Sequence, residues 1–304
     1  MSTILGAGLS GLICGALNAS SHIYERNPKS FVSHRAVLRF RDDKIFRALG
    51  LPYRKVTVRK AISMDGQMAP ASPRLANYYS MKVRNVLADS SIWNLSPSER
   101  VIAPEDLHEI LADLCGKRVA WDFTVTPKFL KELKRPTIST IPLPLLLDLL
   151  GIGPLPTLQF QYAPINVARF RVQDCDVFQT IYFPSPNSYI YRATLTGSLL
   201  TIESIDAIGD GDAREVCSAF GLYHDWLTPI DAKHRQAFGK ITPVLDGPRK
   251  ALLHRLTLDH GIYSLGRFAT WRNILLDDVY DDIFAIRKMQ TLNQYDVNLE
   301  RTKQ

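Results

Sequence analysis

With 46% hydrophobic and 22% charged residues over 304 positions, the chain carries enough apolar side chain for a sizeable core, which excludes disordered and fibrous classes. Lys and Arg exceed Asp and Glu by 37 to 30, a formal charge of +7 that favours an anionic partner, either a phosphorylated substrate or nucleic acid, although the excess is spread over 34–41, 53–60 and 128–135. Cys14, Cys115, Cys175 and Cys217 form no Cys/His cluster, and the longest apolar run, 141–155, is too short and proline-broken for a bilayer of about 30 Å, so no metal, no membrane and a cytoplasmic setting with reduced thiols are expected.

The first predicted element is a strand at Thr3-Ile4-Leu5, followed by Gly6-Ala7-Gly8-Leu9-Ser10-Gly11 and a helix carrying Leu9, Leu12, Ile13, Ala16 and Leu17. A second strand, His22-Ile23-Tyr24, ends at Glu25, nineteen residues beyond Gly6. The hexapeptide alone is weak, but strand, glycine turn, helix, strand and acid together predict a dinucleotide site. Gly6 allows the turn, Gly8 lets a pyrophosphate reach the backbone, Gly11 lets helix approach sheet, and Glu25 accepts ribose hydroxyls. A negative Glu25 disfavours a 2′-phosphate, leaving FAD or NAD.

Further along, 56–70 alternates as strands, and Ala76 to Arg84 mixes aromatic and basic residues, either to stack nucleic-acid bases or as an amphipathic packing element. A helix begins at Pro104-Glu105-Asp106, a strand covers Val119 to Thr126, and 136–151 reads as strand, Pro142/Pro144 turn and short helix ended by Gly151. An antiparallel meander is expected over 176–204, an acidic surface turn at Gly209-Asp210-Gly211-Asp212, a strand from Ile262 to Leu265 before Gly266-Arg267, and a helix from about Asp277 into a polar tail. This is not the continuous doubly wound sheet of a usual NAD enzyme.

The opening glycines, Ser139-Thr140-Ile141-Pro142, the meander and the Gly266-Arg267 segment, in that order, resemble the flavoprotein superfamily that holds UDP-galactopyranose mutase, protoporphyrinogen oxidase and the amine oxidases. The resemblance implies an α/β fold, a Rossmann-type FAD-binding domain (1–35, 100–150 and 255–290) with an interleaved, mainly antiparallel-sheet substrate domain (36–99 and 151–254) and a tail at 291–304. It implies FAD held by Gly6, Gly8, Leu9, Ser10, Gly11, Glu25 and Arg26, with Thr140 and Pro142 passing close by. Gly266 and Arg267 would lie on the pyrophosphate, and the helix terminus at Asp277, Asp278 and Val279 would meet the flavin's O2 edge. No glycine pair follows Glu25-Arg26-Asn27-Pro28 as it often does in the superfamily, and the chain is shorter than typical mutases.

His34 and Arg35 fall where the superfamily returns toward the flavin, so His34 is a candidate proton carrier or else a surface histidine. Arg39 is a candidate anion holder or part of a solvated basic face. Tyr182, Tyr189, Tyr191 and Arg192 lie in the sheet that holds a diphosphate in the mutase branch; alternation puts Tyr189 and Tyr191 on one face and Arg192 on the other unless a bulge intervenes. The expected activity is FAD-dependent oxidation of an amine or amino-acid-like substrate by hydride transfer to the flavin. A fainter resemblance to compact bacteriophage members adds a substrate amine carried on thymidine in DNA. A mutase-like sugar isomerase and a non-catalytic DNA- or protein-binding module are the alternatives.

Overall fold

Two hydrophobic periods, one of two residues and one near four, separate strands that build two sheets from helices that cover them. The computed structural model describes residues 2–31, 37–87, 91–133, 136–153, 155–231 and 233–301. Up to residue 102 the elements are β1 (Thr3–Leu5), α1 (Leu9–Leu17), β2 (His22–Tyr24), β3 (Arg39–Phe40), α2 (Lys44–Leu49), β4 (Arg54–Met64), β5 (Gln67–Ala69), α3 (Pro73–Arg84) and β6 (Ser98–Ile102). Next come α4 (Leu107–Cys115), β7 (Val119–Ala120), α5 (Pro127–Glu132), β8 (Thr137–Ser139), α6 (Leu143–Leu150), β9 (Tyr162–Val172), β10 (Val177–Tyr182), β11 (Ile190–Gly197) and β12 (Leu199–Ser204). The chain continues through α7 (Asp210–Phe220), β13 (Leu227–Pro229), β14 (His234–Ile241), α8 (Asp246–His260), β15 (Ile262–Ser264), α9 (Arg267–Thr270) and α10 (Leu276–Arg301).

The first sheet runs β15-β8-β1-β2-β7, parallel throughout, with Ile4, Ile23 and Ile138 side by side in its buried centre. Parallel strands are buried on both faces, which is why these short segments are almost wholly apolar. Helices α1, α4 and α10 share its core through Leu12, Leu111 and Ile283. The carboxyl end of the central β1 opens at Gly6, the edge where ligands bind in such sheets. Arg118 holds α1 in place, its Nη1 donating to the carbonyls of Gly15 (2.8 Å) and Asn18 (3.1 Å) at the helix C-terminus.

The second sheet runs β13-β9-β12-β11-β10-β4-β6-β3, with β14 added on β9 and β5 on β4; it is antiparallel apart from β10 against β4. Its register makes one face apolar: Ala61, Ile181, Ala193, Ile202 and Ala168 align across it under Ala213 and Val216 of α7. One residue along each strand, the row is Ile62, Tyr182, Arg192, Glu203 and Val167, and beside it Lys60, Thr180, Thr194, Thr201 and Arg169. A sheet covered on both sides yet polar on one is the feature that locates a site.

Three expectations need correction. The strand expected from Val119 to Thr126 stops at Ala120, because Asp122 takes φ +56° and turns the chain toward α5. Gly209 to Asp212 is no surface turn; it starts α7, with Asp212 Oδ2 accepting from the Gly209 amide at 2.7 Å. The tail continues as helix to Arg301. No helix among the described residues is long and apolar enough to cross a membrane.

Replacing Arg118 with Met leaves the carbonyls at the end of α1 without their charged donor. The expected loss is about 1.5–3 kcal/mol in urea unfolding, the range for hydrogen bonds to a charged group.

Candidate functional site

The glycine turn is built by unequal requirements. Gly6 sits at φ +97°, which side chains rarely adopt, and a Cβ there would lie 2.4 Å from Thr140 Oγ1. A Cβ on Gly11 would stand 2.0 Å from the Gly6 carbonyl oxygen, whereas a Cβ on Gly8 would meet nothing within 4 Å. Gly11 is therefore glycine for packing, and Gly8 faces open space. No side chain caps α1 and its first turn holds no acid, so its amides and dipole are presented to an anion.

The turn is held from two sides. Glu25 Oε2 accepts from the Ala7 amide at 2.7 Å, and Oε1 accepts from the Asn27 amide and Nδ2 at 2.9 and 2.8 Å. Three donors leave a carboxylate, with about four lone-pair sites, capacity for one more. Arg26 is exposed. Buried His108 donates from Nε2 to the Ala7 carbonyl at 3.1 Å, a buttress that nothing in the local sequence pattern announces.

The remaining sequence blocks meet at this edge. Thr140 donates to the Leu5 carbonyl at 2.9 Å, and half-buried Pro142 leads into α6. Gly266, at φ +89°, rests on the first turn of α1, where a Cβ would fall 2.5 Å from Ser10 Oγ. Buried Leu9 anchors that turn below. The start of α10 lies nearby but is differently engaged. Asp277 Oδ1 accepts from the Arg41 and Asp42 amides (2.9 and 3.3 Å), Asp278 pairs with Arg41 at 2.5 Å, and Val279 is in the core. The side chains of 277–279 thus bind protein, leaving main chain as what this terminus can offer a ligand.

Arg267 follows Gly266 and points the argument to the second sheet. Its Nε is buried with no hydrogen-bond partner, and burial, then Arg84 and Arg192, bring its pKa down to about 10. On the polar face, a register shift between Ile190 and Arg192 marks the bulge a regular strand lacks. Tyr191 and Arg192 consequently reach one acid: Tyr191 OH donates to Glu203 Oε1 at 3.0 Å, Arg192 Nη2 to the same oxygen at 2.7 Å, and Arg192 Nε to Oε2. Glu203 is 1% exposed, while Arg192 keeps 28% of its side chain accessible. Burial opposes both charges, but each holds the other: Arg192 titrates well above its ordinary value and Glu203 below its own.

Lys240 completes the group, its Nζ 4.6 Å from the centre of the Tyr191 ring. Burial and, after it, Arg192 depress its pKa to about 7; Glu203 opposes this, and Arg267 and Arg84 add to it. Arg192, Lys240 and Arg267 thus lie around one carboxylate that already has three donors. Lys240 and Glu203 were not singled out in the sequence, because β14 and β12 converge only through sheet order.

Other expected positions fare differently. Tyr182 is buried edge-on to Tyr79 of α3, at 5.4 Å between ring centres. Tyr189 precedes β11 and is 55% exposed, so it does not share a face with the fully buried Tyr191. Arg39 is no open anion holder: it donates to Thr180 Oγ1 (2.8 Å), Thr196 Oγ1 (3.0 Å) and the Leu195 carbonyl, stapling β3 across β10 and β11. Segment 76–84 is helix, with Tyr79 and Val83 in the core beside Tyr191. His34 and Arg35 lie outside the described residues. Among the described residues no three His, Cys, Asp or Glu side chains gather as metal ligands.

No family model and no curated protein matches the sequence. Solved structures match the fold. A structure of reduced UDP-galactopyranose mutase superposes with TM-score 0.69 at 16% identity, covering 96% of this chain and 94% of that one. A geranylgeranyl bacteriochlorophyll reductase-like protein from Thermoplasma acidophilum gives 0.52 at 10% identity (99% and 83%). P. aeruginosa PqsL in complex with 2-aminobenzoylacetate gives 0.50 at 11% (98% and 86%). The fold is thus α/β, of the Rossmann-type FAD-binding kind with an interleaved antiparallel sheet.

The different surroundings of the glycines yield a stability contrast. Gly11→Ala forces a Cβ onto a backbone carbonyl and should cost about 1–3 kcal/mol, the range for overpacking, whereas Gly8→Ala should leave the urea midpoint within error of wild type.

Proposed function

We propose that this chain is an FAD-dependent enzyme whose substrate presents an anionic, phosphate-bearing end to the cations Arg192, Lys240 and Arg267. The carrying observation is the contact of Gly266 with Ser10, which puts the uncapped turn of α1 and the cation-lined face of the second sheet at one edge. A dinucleotide fits the donor set: open space over Gly8, unpaired amides, a Glu25 lone pair for a ribose hydroxyl, and the orphan Nε of Arg267. Bound FAD would supply two-electron chemistry or, when reduced, a nucleophilic ring nitrogen. The chain's own residues would bind and orient: Arg192, fixed by Glu203, and Arg267 take the anion, while the Tyr191 and Tyr182 rings exclude water.

This favours the mutase-like reading over amine oxidation. An ammonium there meets Arg192, Lys240 and Arg267, and Glu203 is already occupied by Arg192 and Tyr191. An amine carried on DNA keeps a place only through its phosphates, so nucleotide sugar and single-stranded DNA are the ligands to compare. The likeness to a reduced UDP-galactopyranose mutase supports the first.

The purified protein should show flavin absorbance and release FAD on denaturation. Gly8→Leu should abolish that absorbance with the fold intact by circular dichroism; colourless wild-type protein not stabilised by added FAD would defeat the reading. Dithionite-reduced protein should bind UDP-galactose, and Arg192→Met should weaken binding by about tenfold to a hundredfold, the equivalent of 1.5–3 kcal/mol for lost charged hydrogen bonds.

A further inference from the structure

Lys82, in the last turn of α3, turns its ammonium onto main chain. Its Nζ donates to the carbonyls of Phe183 (2.9 Å), Ser185 (2.8 Å) and Ile190 (2.6 Å). An ammonium has three N–H donors, so all of them are used, and all three acceptors are neutral. Phe183 and Ser185 leave β10 while Ile190 opens β11, so one charge ties together the two arms of a single connection. Burial lowers the Lys82 pKa to about 8 and Glu215 opposes this, which leaves the three-donor form in place at neutral pH. Side-chain bonds from Ser185 to Asp65 (2.6 Å) and from Ser188 to Glu215 (3.0 Å) hold the tip between the arms.

The third acceptor is the informative one. Ile190 pairs with Ser204 and Arg192 with Glu203, so Tyr191 is the extra residue of the bulge. The Ile190 carbonyl belongs to the peptide that enters Tyr191, and because a peptide is planar, the direction of that oxygen sets the plane from which the Tyr191 side chain departs. On the other arm, the Phe183 amide donates to the Tyr191 carbonyl at 3.0 Å, and the Phe183 carbonyl is itself on Lys82. Tyr79, three residues before Lys82 and so on the same side of α3, sets its ring against those of Tyr182 and Tyr191 at 5.4 and 6.4 Å between centres. Helix α3 thus fixes Tyr191 twice, by ring and by peptide.

We propose that Lys82 is a positioning residue for the anion site: its ammonium holds the bulge peptide so that Tyr191 and Arg192 both reach Glu203, and Arg192 is thereby set for the substrate's anionic end. The inference deepens, and rests on, the reading of Arg192 as a group that takes that anion. Tyr191 and Arg192 are successive residues, which a regular strand sends to opposite faces, and the extra residue is what lets both meet one acid. With all three donors on main chain, Lys82 has none left for a ligand and acts through the backbone.

Lys82→Met keeps the apolar stem and removes the donors. Hydrogen exchange of the full chain, followed amide by amide, should then quicken about tenfold or more at Phe183 and Ile205, whose amides donate to the Tyr191 and Tyr189 carbonyls, and stay within about twofold at Gly6 and Thr140 in the first sheet. Dithionite-reduced Lys82→Met should bind UDP-galactose about tenfold more weakly than wild type. The double variant with Arg192→Met should bind no more than about threefold more weakly than Arg192→Met alone, because both changes remove the same placed guanidinium. Lys82→Gln, too short for all three carbonyls, should show the same pattern at smaller size and serves if Lys82→Met does not fold. Unchanged exchange at Phe183 and Ile205, exchange raised equally in both sheets, losses that multiply in the double variant, or loss of the fold in both single variants would each overturn the proposal. Wild type that does not bind UDP-galactose, or Arg192→Met that binds it as wild type does, defeats the reading of the site and with it the ligand role of Lys82. Binding weakened in Arg192→Met but kept in Lys82→Met defeats this inference alone.

Discussion

Glycine backbone packs at the mouth of the parallel sheet where no further side chain would fit, and the rest of the architecture follows from that. Gly11 lies so close to the Gly6 carbonyl that a single added carbon would displace one of them, and Gly266 rests on the Ser10 side chain. These contacts join the first dozen residues to a segment more than 250 positions later. Because both stretches are strand ends of one parallel sheet, with β8 and its Thr140 between them, the contact is rigid. Burial of Ile4, Leu12, Ile23 and Ile138 around it supplies the apolar stabilisation that holds glycine-rich backbone, otherwise entropically costly to order.

Electrostatics divides the second sheet in the same decisive way. A polar row on a covered face is tolerable only where the charges are paired or a ligand completes them. Glu203 satisfies part of this through Arg192 and Tyr191, and the terminal nitrogens of Arg39 donate to threonine hydroxyls and a carbonyl at the other end of the face. Lys240 and Arg267 lie beside this pair at the boundary between the two sheets, where burial lowers the pKa of each. A salt bridge built for stability alone would need one cation for Glu203, and the two further cations are what the proposed anion site would use.

The two halves of the site were unequally legible in the sequence. Strand, glycine turn, helix, strand and acid lie within the first 25 residues, and each local preference there agrees with the others, so the turn could be read directly. Gly266-Arg267 was readable only through resemblance, since nothing nearby says which glycine it will touch. The meander at 176–204 emerged from alternation, yet the pairing of Tyr191 with Arg192 on one acid did not. A bulge is set by how β11 fits β12, and period-two reasoning assigns such neighbours to opposite faces. Asp277 and Asp278 misled for a related reason: acids in a first helical turn fit a helix terminus of any use, and here their side chains anchor α10 to Arg41.

Arg267 is where the two halves become one device. It follows directly on the glycine that rests on the first turn of α1, and it is also one of the cations that, after burial, lower the pKa of Lys240. One peptide thus joins the backbone packed on α1 to a side chain beside the polar row of the second sheet. In the proposed site, a substrate anion held by Arg267 would lie within one side chain's length of the α1 turn, and so beside a dinucleotide resting on it.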